Sequence, residues 1–233
     1  LQKRSGARLR NGPVRRAAAQ LVPLLRGPGG AWAGFTGGAG ADDGVCGAVK
    51  KYGAEKVYVG DDAQIKGYLV APKAEVLQQL VEKTSAGAVL VTSAAEGKEI
   101  AGRLAIKIGS GLITDATDVS AAEGGAGPVT TQSVFAGNYS VQAKFAKGTP
   151  IITVKPNAAA PEESEGAAAK EEFAATISDS AKKAKIVASQ PRKASGRPDL
   201  NEAAIVVAGG RGTGGNFEPI ENFADSLRAA VGA

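Results

Sequence analysis

Histidine is absent from the 233 residues, and cysteine occurs once, as Cys46. Without imidazole there is no Ser-His-Asp or Cys-His nucleophilic machinery, and the usual zinc sites are excluded. A single thiol cannot close a disulfide within the chain. Any acid–base chemistry would rest on Asp, Glu, Lys or Tyr. No run of eighteen apolar residues occurs, so no membrane-spanning helix is expected. Acidic residues are missing from positions 1–35, which carry Lys3, Arg4, Arg8, Arg10, Arg15, Arg16 and Arg26. Without those seven, 21 basic residues face 23 acidic ones. The net charge of +5 therefore belongs to the N-terminal stretch, and the remainder is near neutral. A nucleic-acid face needs cations spread over folded elements, so no nucleic-acid partner is expected.

The basic stretch itself mixes Arg, Gly, Ala and Pro without periodicity, and Pro23 breaks its one apolar run, Leu21 to Leu25. An organelle transit peptide and a nucleic-acid-binding tail are both open readings. The reading adopted is that residues 1–35 are irregular, and either non-native (a misread frame of GC-rich DNA) or disordered. Trp32 is accordingly given no role.

From about Gly40 the pattern is that of an alternating α/β domain. Val45 to Tyr52 fits a short helix stopped by Gly53. Lys56 to Val59 and Ala88 to Thr92 fit buried strands. Pro72 suits a first helical turn, followed by an apolar stripe of Val76, Leu77, Leu80 and Val81. A helix over Gly97 to Ile108 would bury Ile100, Leu104 and Ile108 and pair Glu99 with Arg103. This spacing predicts βαβ units and a mainly parallel sheet with flanking helices. Thr114–Val119, Val129–Ala136, Tyr139–Ala146 and Pro150–Lys155 then read as strands of an added antiparallel hairpin. Pro156 to Glu172 reads as a solvated linker. Thr176-Ile177 and Lys185 to Ala188 read as short strands, and Pro191 to Asn201 as a boundary.

The most informative stretch is Ala204-Ile-Val-Val-Ala-Gly-Gly-Arg211-Gly-Thr-Gly-Gly-Asn-Phe217, ahead of a helical segment from Pro219 to Val231. An apolar strand feeding such a loop brings bare backbone N–H groups against a phosphate or ring. Arg211, between Gly210 and Gly212, adds a fixed charge. Gly210 to Gly215 formally matches a dinucleotide fingerprint, but Pro219 places the helix start later than that motif wants. A strand-to-helix turn needing several positive φ angles is the plain alternative. Ser93 to Lys98 offers a second position at a strand end, either an anion site at Gly97 and Lys98 or a plain helix start. Asp61-Asp62, and Asp115 with Asp118, read as turn formers and caps. Cys46 reads as a small, buried or half-buried helix residue.

The collinear segments EKVYV (Glu55–Val59), EGKEIAGRLA (Glu96–Ala105), GLITDATDV (Gly111–Val119), SVFAGNY (Ser133–Tyr139), ITVKPN (Ile152–Asn157) and AIVVAGGRG with the terminal AAVGA resemble the α subunit of electron transfer flavoprotein. The resemblance implies an N-terminal α/β domain (36–190) and, over 191–233, the start of a truncated FAD-binding domain, with most of the FAD pocket beyond the last residue. It implies an electron carrier rather than an enzyme, with FAD as cofactor and Arg211, Gly210 and Gly212 as cofactor-binding residues. It further implies a heterodimer with a β subunit, acyl-CoA dehydrogenases of fatty-acid β-oxidation as donors and a quinone reductase as acceptor. The location would be cytoplasmic in a bacterium or the mitochondrial matrix in a eukaryote. Ala208 stands where a serine is common. Alone, the chain is expected to bind FAD weakly or not at all. A nicotinamide-dependent dehydrogenase and a non-catalytic nucleotide-binding or partner-docking module remain as alternatives.

Overall fold

Five consecutive buried residues, Ala88–Thr92, form the middle strand of the larger sheet. The computed structural model describes residues 24–26, 32–36, 43–60, 63–121, 127–156, 158, 163–190, 196–200 and 203–233. These divide into two compact units, one ending at Ile186 and one starting at Val187.

The first unit contains β1 (Leu24–Arg26), β2 (Trp32–Thr36), α1 (Asp43–Lys50), β3 (Ala54–Val59), α2 (Ala63–Lys66), α3 (Val70–Thr84), β4 (Ala88–Thr92), α4 (Ala95–Lys107), β5 (Leu112–Ala121), β6 (Pro128–Val134), β7 (Tyr139–Lys144), β8 (Ile151–Val154) and β9 (Ala169–Glu172). Among the described residues these strands make one sheet in the order β7-β6-β5-β8-β4-β1-β2-β3-β9. It is α/β and mixed. The neighbours β5–β8, β8–β4, β2–β3 and β3–β9 are parallel, and the other four pairs are antiparallel. Of the four strands expected as an antiparallel addition, β5, β6 and β7 form an antiparallel ribbon, whereas the fourth, β8, is parallel to both of its neighbours, β4 and β5.

Side-chain alternation places the core on both faces. Val89 and Val91 of β4, Ile151 of β8 and Tyr58 of β3 meet Leu77, Leu80, Ile100 and Leu104 of α3 and α4. On the opposite face Leu90, Ile152 and Val154 pack with Ala116 and Val119. A third cluster joins Val49 of α1 to Val57 and Val59. Leu104 is fully buried. Leu104→Ala is therefore expected to lower the unfolding free energy by about 2–5 kcal/mol, read from a urea melt.

Three expectations need correction. Residues 24–26 and 32–36 are not irregular: β1 runs antiparallel between β4 and β2, and β2 lies parallel to β3. A three-residue strand carries no period of its own, so the ladder specifies it rather than the pattern. The linker expected over Pro156 to Glu172 contains β9, paired in parallel with β3, and Ser164, bridged to Tyr52. Its alanines and glutamates suit an edge strand, where charged residues deter further pairing. Thr176-Ile177 and Lys185 to Ala188 form no strand of the sheet. Lys185 makes an isolated antiparallel bridge to Tyr68, while residues 176–178 lie along α3, where Gln79 accepts from the Thr176 N–H and donates to its carbonyl, and Glu75 accepts from the Ser178 N–H. Side chains satisfy these backbone groups in place of a ladder. Asp61-Asp62 lie outside the described residues.

Candidate functional site

Ile205 to Ala208 is apolar enough to make a strand, β10 (Val206–Ala208). Opposite it lies β11 (Ala230–Gly232), in parallel register Val206↔Ala230 to Ala208↔Gly232. Between them runs α5 (Glu218–Leu227), with Pro219 in its first turn. The expected helix from Pro219 to Val231 is thus too long. It stops where Arg228 turns left-handed (φ 52°), and Ala229 and Ala230 are buried as the chain enters β11. Helix propensity in Ala-Ala-Val gives way to pairing with β10, since Ala230 N–H donates to Ile205 O and Gly209 N–H to Gly232 O, both at 3.0 Å.

The glycine-rich turn leaves the carboxyl end of β10. Gly209 is buried, and a Cβ there would sit 3.0 Å from the Thr213 methyl and 3.1 Å from both Ile220 and Phe217. Residues Arg211–Thr213 make one 3-10 turn, closed by Gly214 (φ 58°) and Gly215 (φ 89°) in left-handed conformations. Asn216 Oδ1 accepts from the Glu218 N–H at 3.1 Å and starts α5. Packing or conformation therefore accounts for Gly209, Gly214 and Gly215. Neither reason applies to Gly210 and Gly212, which have no positive φ and nothing within 4 Å of where a Cβ would stand. Both are exposed, as is Arg211 between them. Among the described residues Arg211 has no ion pair or side-chain hydrogen bond, and the backbone N–H groups of Gly210, Arg211 and Gly212 have no acceptor. The turn thus presents an unneutralised guanidinium and three free donors over open space, which an anionic, flat cofactor can approach closely.

Sequence reasoning missed Arg197, which braces this unit from the stretch read as a boundary. Its guanidinium donates to both carboxylate oxygens of Asp225, at 2.5 and 2.9 Å. That hydrogen bonding raises the Arg197 pKa and lowers the Asp225 carboxyl, so both stay charged.

In the first unit the strand end at Ser93 collects a polar cluster. Asp115 Oδ1 accepts from Ser93 Oγ at 2.6 Å and from Lys98 Nζ at 2.8 Å. Thr153 Oγ1 donates to Ser93 Oγ and accepts the Asp115 N–H. Burial pushes the Asp115 carboxyl up, but Lys98, Ser93 and the charge of Lys155 together hold it below its ordinary range. Asp115 sits at φ 60°, where β5 breaks register and passes from β8 to β6. Lys98 is thus engaged by a carboxylate, and Gly97 is buried against the Thr92 carbonyl. The arrangement is a strand-end brace and favours the plain helix start over an anion site. Asp118 lies in β5 opposite Thr131, outside the cluster.

A protein-family model described as the electron transfer flavoprotein domain matches residues 17–183. The electron transfer flavoprotein subunit alpha of Mycobacterium leprae (strain TN) is 40% identical over 225 residues, covering 95% of this chain and 69% of that protein. The protein of the same name from Mycobacterium tuberculosis (strain ATCC 25618 / H37Rv) is 41% identical over the same shares. That of Bacillus subtilis (strain 168) is 30% identical over 186 residues, covering 78% of this chain and 56% of that protein. The match from residue 17 takes in the second half of the stretch read as non-native.

Proposed function

Since this chain belongs to the electron transfer flavoprotein family, we propose that it is the α-type subunit of a carrier that holds FAD, with Arg211, Gly210 and Gly212 against the cofactor. Family members carry electrons and are not enzymes with a substrate of their own. In this reading the first unit is the N-terminal domain, and residues 187–233 open the FAD-binding domain. The partner is a β subunit, the donors are acyl-CoA dehydrogenases and the acceptor is a quinone reductase.

One observation carries the reading: an arginine unpaired among the described residues, flanked by two glycines whose missing side chains no described residue explains. Bound FAD supplies reversible storage of one or two electrons. The chain's own contribution is electrostatic. The Arg211 guanidinium brings a fixed positive charge, so it offsets negative charge on a pyrophosphate or on a reduced flavin. In the latter placement it favours the reduced form and raises the potential. The geometry also argues against the nicotinamide alternative. In a dinucleotide fingerprint the third glycine packs helix against strand. Here Gly215 precedes α5 and has no neighbour within 4 Å of a Cβ position.

The test is Arg211→Ala in the full gene product purified with its β-type partner. Losing a charged hydrogen-bond donor is expected to weaken FAD binding by about ten- to a hundredfold. Fluorescence titration of apoprotein with FAD measures it. Unchanged affinity together with an unchanged flavin potential overturns the assignment of Arg211.

A further inference from the structure

Five of the seven residues from Gly209 to Gly215 are glycine, and the other two are Arg211 and Thr213. Glycine loses more conformational freedom on ordering than any other residue, so such a segment has much to lose. Among the described residues Arg211 has no side-chain partner, so it does not hold the turn. Beside the backbone bonds from Thr213 N–H to Gly210 O and from Gly214 N–H to Arg211 O, the side-chain hydrogen bonds within the turn are those of Thr213. Its hydroxyl donates to Gly210 O at 3.0 Å and accepts the Gly215 N–H at 3.3 Å. Its methyl faces Gly209, 3.0 Å from the place a Cβ would occupy there. One side chain thus ties the start of the turn to its end, across the residue that carries the charge.

We propose that Thr213 is the positioning residue for Arg211: its bridging hydroxyl sets the 210–215 turn before the cofactor arrives, so that the guanidinium and the free N–H groups are ordered in advance. The inference rests on the FAD reading given above. The physical content is preorganisation. A turn already held by Thr213 loses little freedom on binding, whereas a free pentaglycine-like turn loses it at that moment and weakens affinity. The hydroxyl is the group that matters, because only it both donates and accepts; valine keeps the shape and removes both bonds.

Three variants, Thr213→Val, Thr213→Ser and Arg211→Ala, test this in the full gene product with its β-type partner, using FAD as probe. Thr213→Val is expected to weaken FAD binding about three- to tenfold, as the Arg211 charge is no longer held in place, and, where that charge faces the reduced flavin, to lower its potential. Hydrogen exchange at the Gly215 amide should quicken. Thr213→Ser retains the hydroxyl and should return affinity, potential and exchange towards those of the parent. A weakened Arg211→Ala alongside a parent-like Thr213→Val overturns the positioning role alone. An inert Arg211→Ala overturns the FAD assignment beneath it. Equal losses in the valine and serine variants assign the effect to packing and also overturn the proposal.

Discussion

Gly97→Ala is expected to destabilise the first unit by about 3 kcal/mol or more, the cost of forcing a side chain into a packed backbone contact. A Cβ at Gly97 would lie 2.0 Å from the Thr92 carbonyl oxygen and 3.1 Å from a Val91 methyl. The obstacle is backbone, not a side chain that can swing aside. The Thr92 carbonyl is fixed because it also accepts the Ala94 N–H at 2.8 Å in the tight turn between β4 and α4. To admit one methyl group, α4 must lift from β4, and Ile100 and Leu104 would leave the core with it. A control lies on the same helix. Gly102 has nothing within 4 Å of a Cβ position. Gly102→Ala should therefore stabilise, by up to about 1 kcal/mol, through helix propensity alone. Urea melts of both variants decide it; two alanine variants of like stability would show that the close approach does not exist.

Glu75→Ala is expected to cost about 3 kcal/mol, and it should loosen the segment that leaves β9. Glu75 is 8% exposed. Its carboxylate accepts from Ser178 N–H at 2.8 Å, Ser178 Oγ at 2.7 Å and Lys107 Nζ at 3.0 Å. Alanine leaves the Ser178 N–H without this acceptor and takes the partner from Lys107, while the Ser178 hydroxyl keeps only Ser180 Oγ within reach. Faster hydrogen exchange across residues 176–181 would locate the damage. The same network predicts a pH dependence. Burial alone pushes the Glu75 carboxyl up, but the Ser178 N–H, the Ser178 hydroxyl and Lys107 outweigh it and hold the pKa below the ordinary value. A carboxyl depressed in the folded state contributes stability that is complete above its unfolded value, about 4.3, and disappears as pH falls through the folded value. The urea midpoint should thus fall in this acid window, and Glu75→Gln should make the fall shallower. Asp115, Glu171 and Asp225, also depressed, contribute in the same direction. An identical acid profile in Glu75→Gln would remove Glu75 from the account.

The elements legible in the sequence were those with a period. The stripe of Val76, Leu77, Leu80 and Val81 lies buried on α3 as expected, and Glu99 pairs with Arg103 at 2.9 Å across one turn of α4. Local spacing decides both, and neither needs a distant partner. The segments misread were those whose conformation depends on what lies beside them. Ala230-Val231 has a helical composition and is a strand because β10 is its neighbour. Ala169 to Glu172 looks like solvated chain and is a strand because β3 has a free edge. Thr176-Ile177 reads as a strand, but Gln79 takes up the Thr176 backbone and the Glu75 carboxylate, 103 residues away, takes up the neighbouring Ser178 N–H.

At the candidate site the division is similar. Strand, glycine turn and helix could be placed from residue order, and so could the isolation of Arg211 between two glycines. Composition fixed the absence of imidazole chemistry and the crowding of uncompensated cations at the N-terminal end. Tertiary structure alone sorted the glycines: Gly209 is required by packing, Gly214 and Gly215 by left-handed backbone, and Gly210 and Gly212 by nothing among the described residues. It alone turned Gly97 from a conceivable anion contact into a point where helix meets strand. The physical reason is range. Periodicity and turn chemistry act over a few residues and are written in order along the chain, whereas a steric contact or a ladder partner exists only once distant segments have come together.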